Sequence, residues 1–114
     1  MKKVVYALHK TEYDDYLKQI IQNRTHAFEY FYDFLKENDP EEHLSTFSYL
    51  AEYFSILWQF EDLLEKVTLQ SEWDELHQRW IVDSEVALKV VVHFHSLRTC
   101  QRELLAHNIS FAIH

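Results

Sequence analysis

Residues 38–67, NDPEEHLSTFSYLAEYFSILWQFEDLLEKV, decide the fold. Asn38-Asp39-Pro40-Glu41-Glu42 is strong punctuation. Asp39 can cap a helix, and Pro40 suits the first helical position because its missing N–H costs nothing there. Glu42 completes a box-like capping pattern. Behind them, Leu44, Phe47, Leu50, Ala51, Phe54, Leu57, Trp58 and Leu64 recur every three or four residues. That spacing puts one wide apolar stripe on a helix over 40–67.

On the N-terminal side, Thr11 reads as a cap followed by Glu12, Asp14 and Asp15, acids that suit the positive end of a helix dipole. Tyr13, Tyr16, Leu17, Ile20, Ile21, Ala27, Phe28, Phe31 and Leu35 then keep helical spacing, which predicts a helix over 12–37 with a break allowed near Asn23–Thr25. Residues 4–8 (VVYAL) fit a short strand or a lead-in to that helix. On the C-terminal side, Ser71-Glu72-Trp73-Asp74 reads as a cap with acids, giving a shorter helix over 72–82. Asp83-Ser84-Glu85 restarts the chain for a helix over 85–107. Its Val90-Val91-Val92-His93-Phe94 run is β-branched and also fits a strand, but the length of the surrounding pattern favours helix. The tail 109–114 alternates and can pair with 3–8. The expected fold is therefore all-α: a single domain over 1–114, a bundle of four to five helices with room for a short terminal two-stranded ribbon.

The chain has 114 residues, no glycine, one cysteine and a formal charge of −8. Ordinary usage would place about eight glycines in this length. Their absence excludes the P-loop, the dinucleotide-binding GxGxxG and the GxSxG elbow, each of which needs glycine at a tight turn or beside a ligand. Cys100 alone can form no internal disulfide. With no apolar run long enough for a signal-peptide core or a membrane span, the expected location is cytoplasmic.

The charge is uneven. Residues 39–85 hold twelve acids against Lys66 and Arg79, whereas 1–38 balance and 86–114 are slightly basic. An acidic field repels phosphate and attracts basic protein surface, so no direct contact with nucleic acid is expected. The expected function is a small acidic binding or inhibitory protein, of the immunity or anti-defence kind. It would occlude the basic surface of a partner such as a nuclease, a nucleic-acid-handling enzyme or a toxin. Glu41, Glu42, Glu52, Glu61, Asp62, Glu65, Glu72, Asp74 and Glu75 would steer docking, with Tyr49, Tyr53 and Trp73 as aromatic anchors. Trp58 suits either the core or the anchor role. The solvated-face reading competes, because Glu41, Glu42, Glu72 and Asp74 are also accounted for by expected helix first turns. With aromatics at 16% of the chain, a homodimer that buries the surplus as its own interface is a further alternative.

No enzyme motif stands out. Eight histidines are present, but there is no HExxH and no Cys/His finger, and Asp74/His77 and Glu103/His107 do not duplicate the paired Glu-x-x-His of carboxylate-bridged bundles. Neither a metal nor a cofactor is expected. Cys100 near Arg98 has no supporting elbow and reads as a buried thiol. Arg102 followed by His107 on a late helix of a small α-bundle resembles the signature of HEPN-type ribonucleases. The resemblance covers those two positions and implies RNA cleavage by the pair, usually across a dimer. Glu103 stands where a polar residue often follows the family's Arg and would partly neutralise the site. His95-Ser-Leu-Arg98 resembles a phosphorelay bundle, with Thr99 where that pattern usually has Gly.

Overall fold

The computed structural model describes residues 5–109. The stripe read from 44–67 becomes the central helix. Asp39 caps as expected, its carboxylate accepting from the Glu41 N–H at 3.1 Å, with Pro40 at the start. The first turn is a tight 3₁₀ turn, Pro40–His43, and the α-helix itself, α2, runs Leu44–Gln70. Leu50, Tyr53, Leu57, Phe60, Leu64 and Val67 are essentially inaccessible along its inner face. Each such apolar side chain contributes about 1.5–3 kcal/mol by leaving water.

Helix α1, Lys10–Glu37, is unbroken. Asn23 and Thr25 do not interrupt it, because their side chains turn back onto the preceding turn: Asn23 Nδ2 donates to the Gln19 carbonyl at 2.7 Å and Thr25 Oγ1 to that of Ile21 at 3.0 Å. His9, not Thr11, occupies the cap position. Helix α3, Ser84–Ala106, keeps Val90–Phe94 helical, with Val90 buried and Val91 and Val92 exposed. It ends in a Schellman motif. Asn108 takes φ 61°, the Ile109 N–H donates to the Leu104 carbonyl at 2.9 Å, and the Asn108 N–H donates to that of Leu105 at 3.0 Å. Buried Ile109 and Leu104 form the apolar contact of that cap, with asparagine in the place glycine usually takes.

The bundle has three helices, not four to five, and it is not all-α. The expected helix over 72–82 is a hairpin of strands β2 (Glu72–Asp74) and β3 (Arg79–Asp83). Strand β1, Val5–His9, pairs antiparallel with β3, giving the order β1-β3-β2. The Trp73/Trp80 spacing is compatible with a helix, but Trp80, Ile81 and Val82 are strand formers, and alternation decides. Trp80 and Val82 turn to the helices with Leu8, while Trp73 sits directly opposite Trp80 with ring centroids 4.6 Å apart. Tyr13 of α1 continues the ladder, 4.6 Å from Trp80. Strand β1 pairs with β3 on one edge; the expected ribbon between 3–8 and 109–114 falls largely on residues outside the described ones.

The topology puts the sheet where α1 begins, α2 ends and α3 begins. Along a molecule 56 × 26 × 21 Å in extent, α2 runs antiparallel to α1 and α3 and packs against both, while Tyr16 of α1 also meets Phe94 of α3. Among the described residues no helix is long and apolar enough to cross a membrane.

Candidate docking face on helices α1 and α2

On α2, residues three, four and seven apart share a face. Trp58, Glu61, Asp62 and Glu65 have that spacing, and they form a ridge on the side turned from the core. The Trp58 side chain is 71% exposed. The Glu61 carboxylate accepts a hydrogen bond from Arg24 Nη1 across the α1/α2 seam. Asp62 and Glu65 are exposed and make no described ion pair. Burial raises the pKa of Tyr13 on α1, Asp14 adds to it, and Glu65 of α2 is close enough to contribute as well.

Beside the ridge is a groove of about 350 Å³ lined by Arg24, Phe28, Phe54, Leu57 and Trp58. Apart from the Arg24 side chain its walls are aromatic and aliphatic. Phe28 packs on Phe54 with centroids 4.7 Å apart, which fixes the floor. Ile21, Phe28 and Leu35 lie seven residues apart on α1 and are all exposed, so the apolar strip continues along that helix. An exposed apolar strip of this size beside charged groups is the usual appearance of a protein-contact surface.

The nine expected acids do not form one wall. Glu61, Asp62 and Glu65 share the ridge. Glu72 joins Asp62 across a second groove of about 630 Å³ between α2, the hairpin and α3, where Asp83 adds a carboxylate and Lys66 and Lys89 oppose them. Glu52 faces α3, lining a groove with Glu103. Glu41 and Glu42 sit at the start of α2, the length of that helix, about 40 Å, from the hairpin. Asp74 and Glu75 serve the hairpin turn. The Asp74 carboxylate accepts from Arg79 Nε at 2.9 Å and from the His77 N–H at 3.3 Å, with His77 Nδ1 at 2.8 Å. Partial desolvation works to raise the Asp74 pKa, but the bonds from Arg79 and His77 outweigh it and hold the carboxyl below its ordinary value. Glu75 accepts from the Trp73 indole N–H.

Of the expected anchors, Tyr53 is corrected to a core residue: it is inaccessible, and its hydroxyl accepts from Gln101 Nε2 at 3.3 Å. Burial pushes its phenol up to about 12. Its position in the inward stripe, one turn from Leu57 and three residues past Leu50, carried that signal. Trp73 is half-buried in the hairpin ladder, and Tyr49 is half-buried under His107, with ring centroids 4.2 Å apart. Sequence reasoning left Trp58 undecided and did not connect it with Phe28 of α1. Only the packing of α1 on α2 joins the two.

The other constellations are placed as follows. His107 closes the end of α3 against Tyr49, and Arg102 is exposed on the outer side of that helix; neither lines any of the grooves above. His95 faces the α2/α3 groove, whereas Arg98 lies over the Phe94 ring at 5.2 Å and lines the α1 side. Cys100 is buried, and its thiol is pushed up to about 12, first by burial and then by Glu52 and Glu103. It stays protonated and is a poor nucleophile near neutral pH. Among the described residues no group of three His, Cys, Asp or Glu side chains is placed to hold a metal ion. No family model, curated protein or solved structure matches the chain, so the functional reading stands on the site's own chemistry.

Proposed function

We propose that this protein is a small acidic binding module that docks on, and so occludes, a basic surface of a partner protein such as a nuclease or toxin. The observation that carries the reading is the α2 ridge: a largely exposed tryptophan, Trp58, set within two turns of Glu61, Asp62 and Glu65. An aromatic anchor supplies buried area in a complex, and adjacent charge supplies orientation and rapid encounter. The surrounding field agrees in sign. The chain carries −8, and of the two bases in 39–85, Arg79 is tied to Asp74 and Lys66 lines the groove beside Asp62.

The test is capture of the partner from the source cell at increasing salt, with wild type and with Glu61→Gln/Asp62→Asn/Glu65→Gln. The expected result is one dominant basic protein whose retention falls with salt and drops about tenfold or more in the triple variant. Retention that ignores both salt and the substitutions overturns the reading.

A further inference from the structure

We infer that the occupant of the α1/α2 groove is an amphipathic helix of the partner, apolar on one face and rich in lysine or arginine along its flank. The inference rests on the binding reading above and names the element that would fill the site.

The groove is open and apolar at Phe28 and Trp58, which are 56% and 71% exposed. Along α1, Ile21, Phe28 and Leu35 extend the strip at a seven-residue period, the spacing that a second helix lying alongside can match. From Ile21 to Leu35 the strip is about 21 Å long, room for roughly four turns of such a helix. Helix-in-groove recognition reads anchors at i, i+3, i+4 and i+7, and the groove between Phe28 and Trp58 accepts bulky apolar ones.

Charge selects among the possible occupants. Arg24, which lines the groove, bonds to Glu61; beyond that pair, toward the hairpin end of α2, Glu65 is exposed and close to Tyr13 of α1, and exposed Asp62 turns toward the second groove. A basic residue at the hairpin end of the incoming helix would find Glu65, with Asp62 beyond it on the same ridge. A second copy of this chain would set one −8 molecule against another, acidic ridge facing a like-charged surface. An anionic bilayer would be repelled by the same acids. A basic amphipathic helix therefore satisfies both the apolar strip and the carboxylates beside it.

The probe is a synthetic peptide of about five helical turns, leucine at i, i+3, i+4 and i+7 and lysine elsewhere. A leucine/glutamate peptide of the same pattern, polylysine of equal length and vesicles of anionic phospholipid serve as comparisons. Binding to the full chain is measured by calorimetry, and association state by light scattering. The leucine/lysine peptide is expected to bind. Its affinity should fall about tenfold or more in Trp58→Ala, and again in Phe28→Ser, both surface changes that leave the core intact. Polylysine should bind far more weakly, and the leucine/glutamate peptide not at all. Three results overturn the inference: polylysine binding as well as the leucine/lysine peptide, indifference to both substitutions, or uptake of the strip by vesicles or by a self-dimer. If the peptide fails while cellular capture still depends on salt and on Glu61, Asp62 and Glu65, the helix assignment falls and the wider binding reading stands.

Discussion

At the scale of single residues, Cys100 and Phe60 show how burial sets chemistry and stability. The Cys100 thiol sits in the wall between α2 and α3, where burial and the carboxylates of Glu52 and Glu103 all oppose the thiolate. Native protein at pH 8 should therefore resist alkylation by iodoacetamide and react only after unfolding; rapid modification of the folded chain contradicts this placement. Phe60 is inaccessible and packs against Tyr16 and Phe94, with ring centroids 5.6 and 6.4 Å away. Phe60→Ala should cost about 3–5 kcal/mol in urea unfolding, since the cavity adds to the lost transfer energy. Asp74 works in the opposite direction, through a charge held in place at a turn. Its pKa is lowered on folding, so the stabilisation is present above the ordinary carboxylate pKa and is lost as pH falls through the folded value. Asp74→Asn should lower the melting temperature near neutral pH and have little effect once wild-type Asp74 is protonated. A difference that persists unchanged into acid removes the charge from the explanation.

At the scale of elements, the long helices were legible and the hairpin was not. The Asp39-Pro40 punctuation and the 44–67 stripe are local signals, and the structure follows them to within a 3₁₀ turn. The segment 72–82 contains signals for both states. Its Ser-Glu-Trp-Asp opening matches a helix start, while Trp80-Ile81-Val82 suits a strand, and the pairing with β1 that settles the matter involves residues seventy or more positions away. The usual turn marker was also missing. A hairpin needing positive φ normally shows glycine or asparagine there, but the left-handed position is Gln78, at φ 51°. A side chain in that region costs about 1 kcal/mol or more, partly offset by the entropy that glycine loses on folding. Gln78→Gly should thus stabilise the protein by up to about 1 kcal/mol in denaturant unfolding. A clear loss of stability would mean that the Gln78 hydrogen bonds to Glu75 outweigh the backbone term.

At the scale of the whole molecule, the sequence indicated where the acids lie along the chain but not which of them share a surface. Helical spacing sends Glu61, Asp62 and Glu65 to one ridge and turns Glu52 toward α3, while Glu41 and Glu42 remain at the far end of α2. The packing of α1 on α2 then sets Phe28 and Trp58 around one groove, a juxtaposition that no local pattern contains. The proposed binding requires that a basic partner meet that ridge and groove. The most direct measurement is the binding of the captured partner to purified Trp58→Ala and to Glu61→Gln/Asp62→Asn/Glu65→Gln, each compared with wild type at low and physiological salt. Trp58→Ala should weaken binding at both salt concentrations, whereas the carboxylate variant should lose most where screening is least. Wild-type affinity in both variants at either salt concentration would contradict the account.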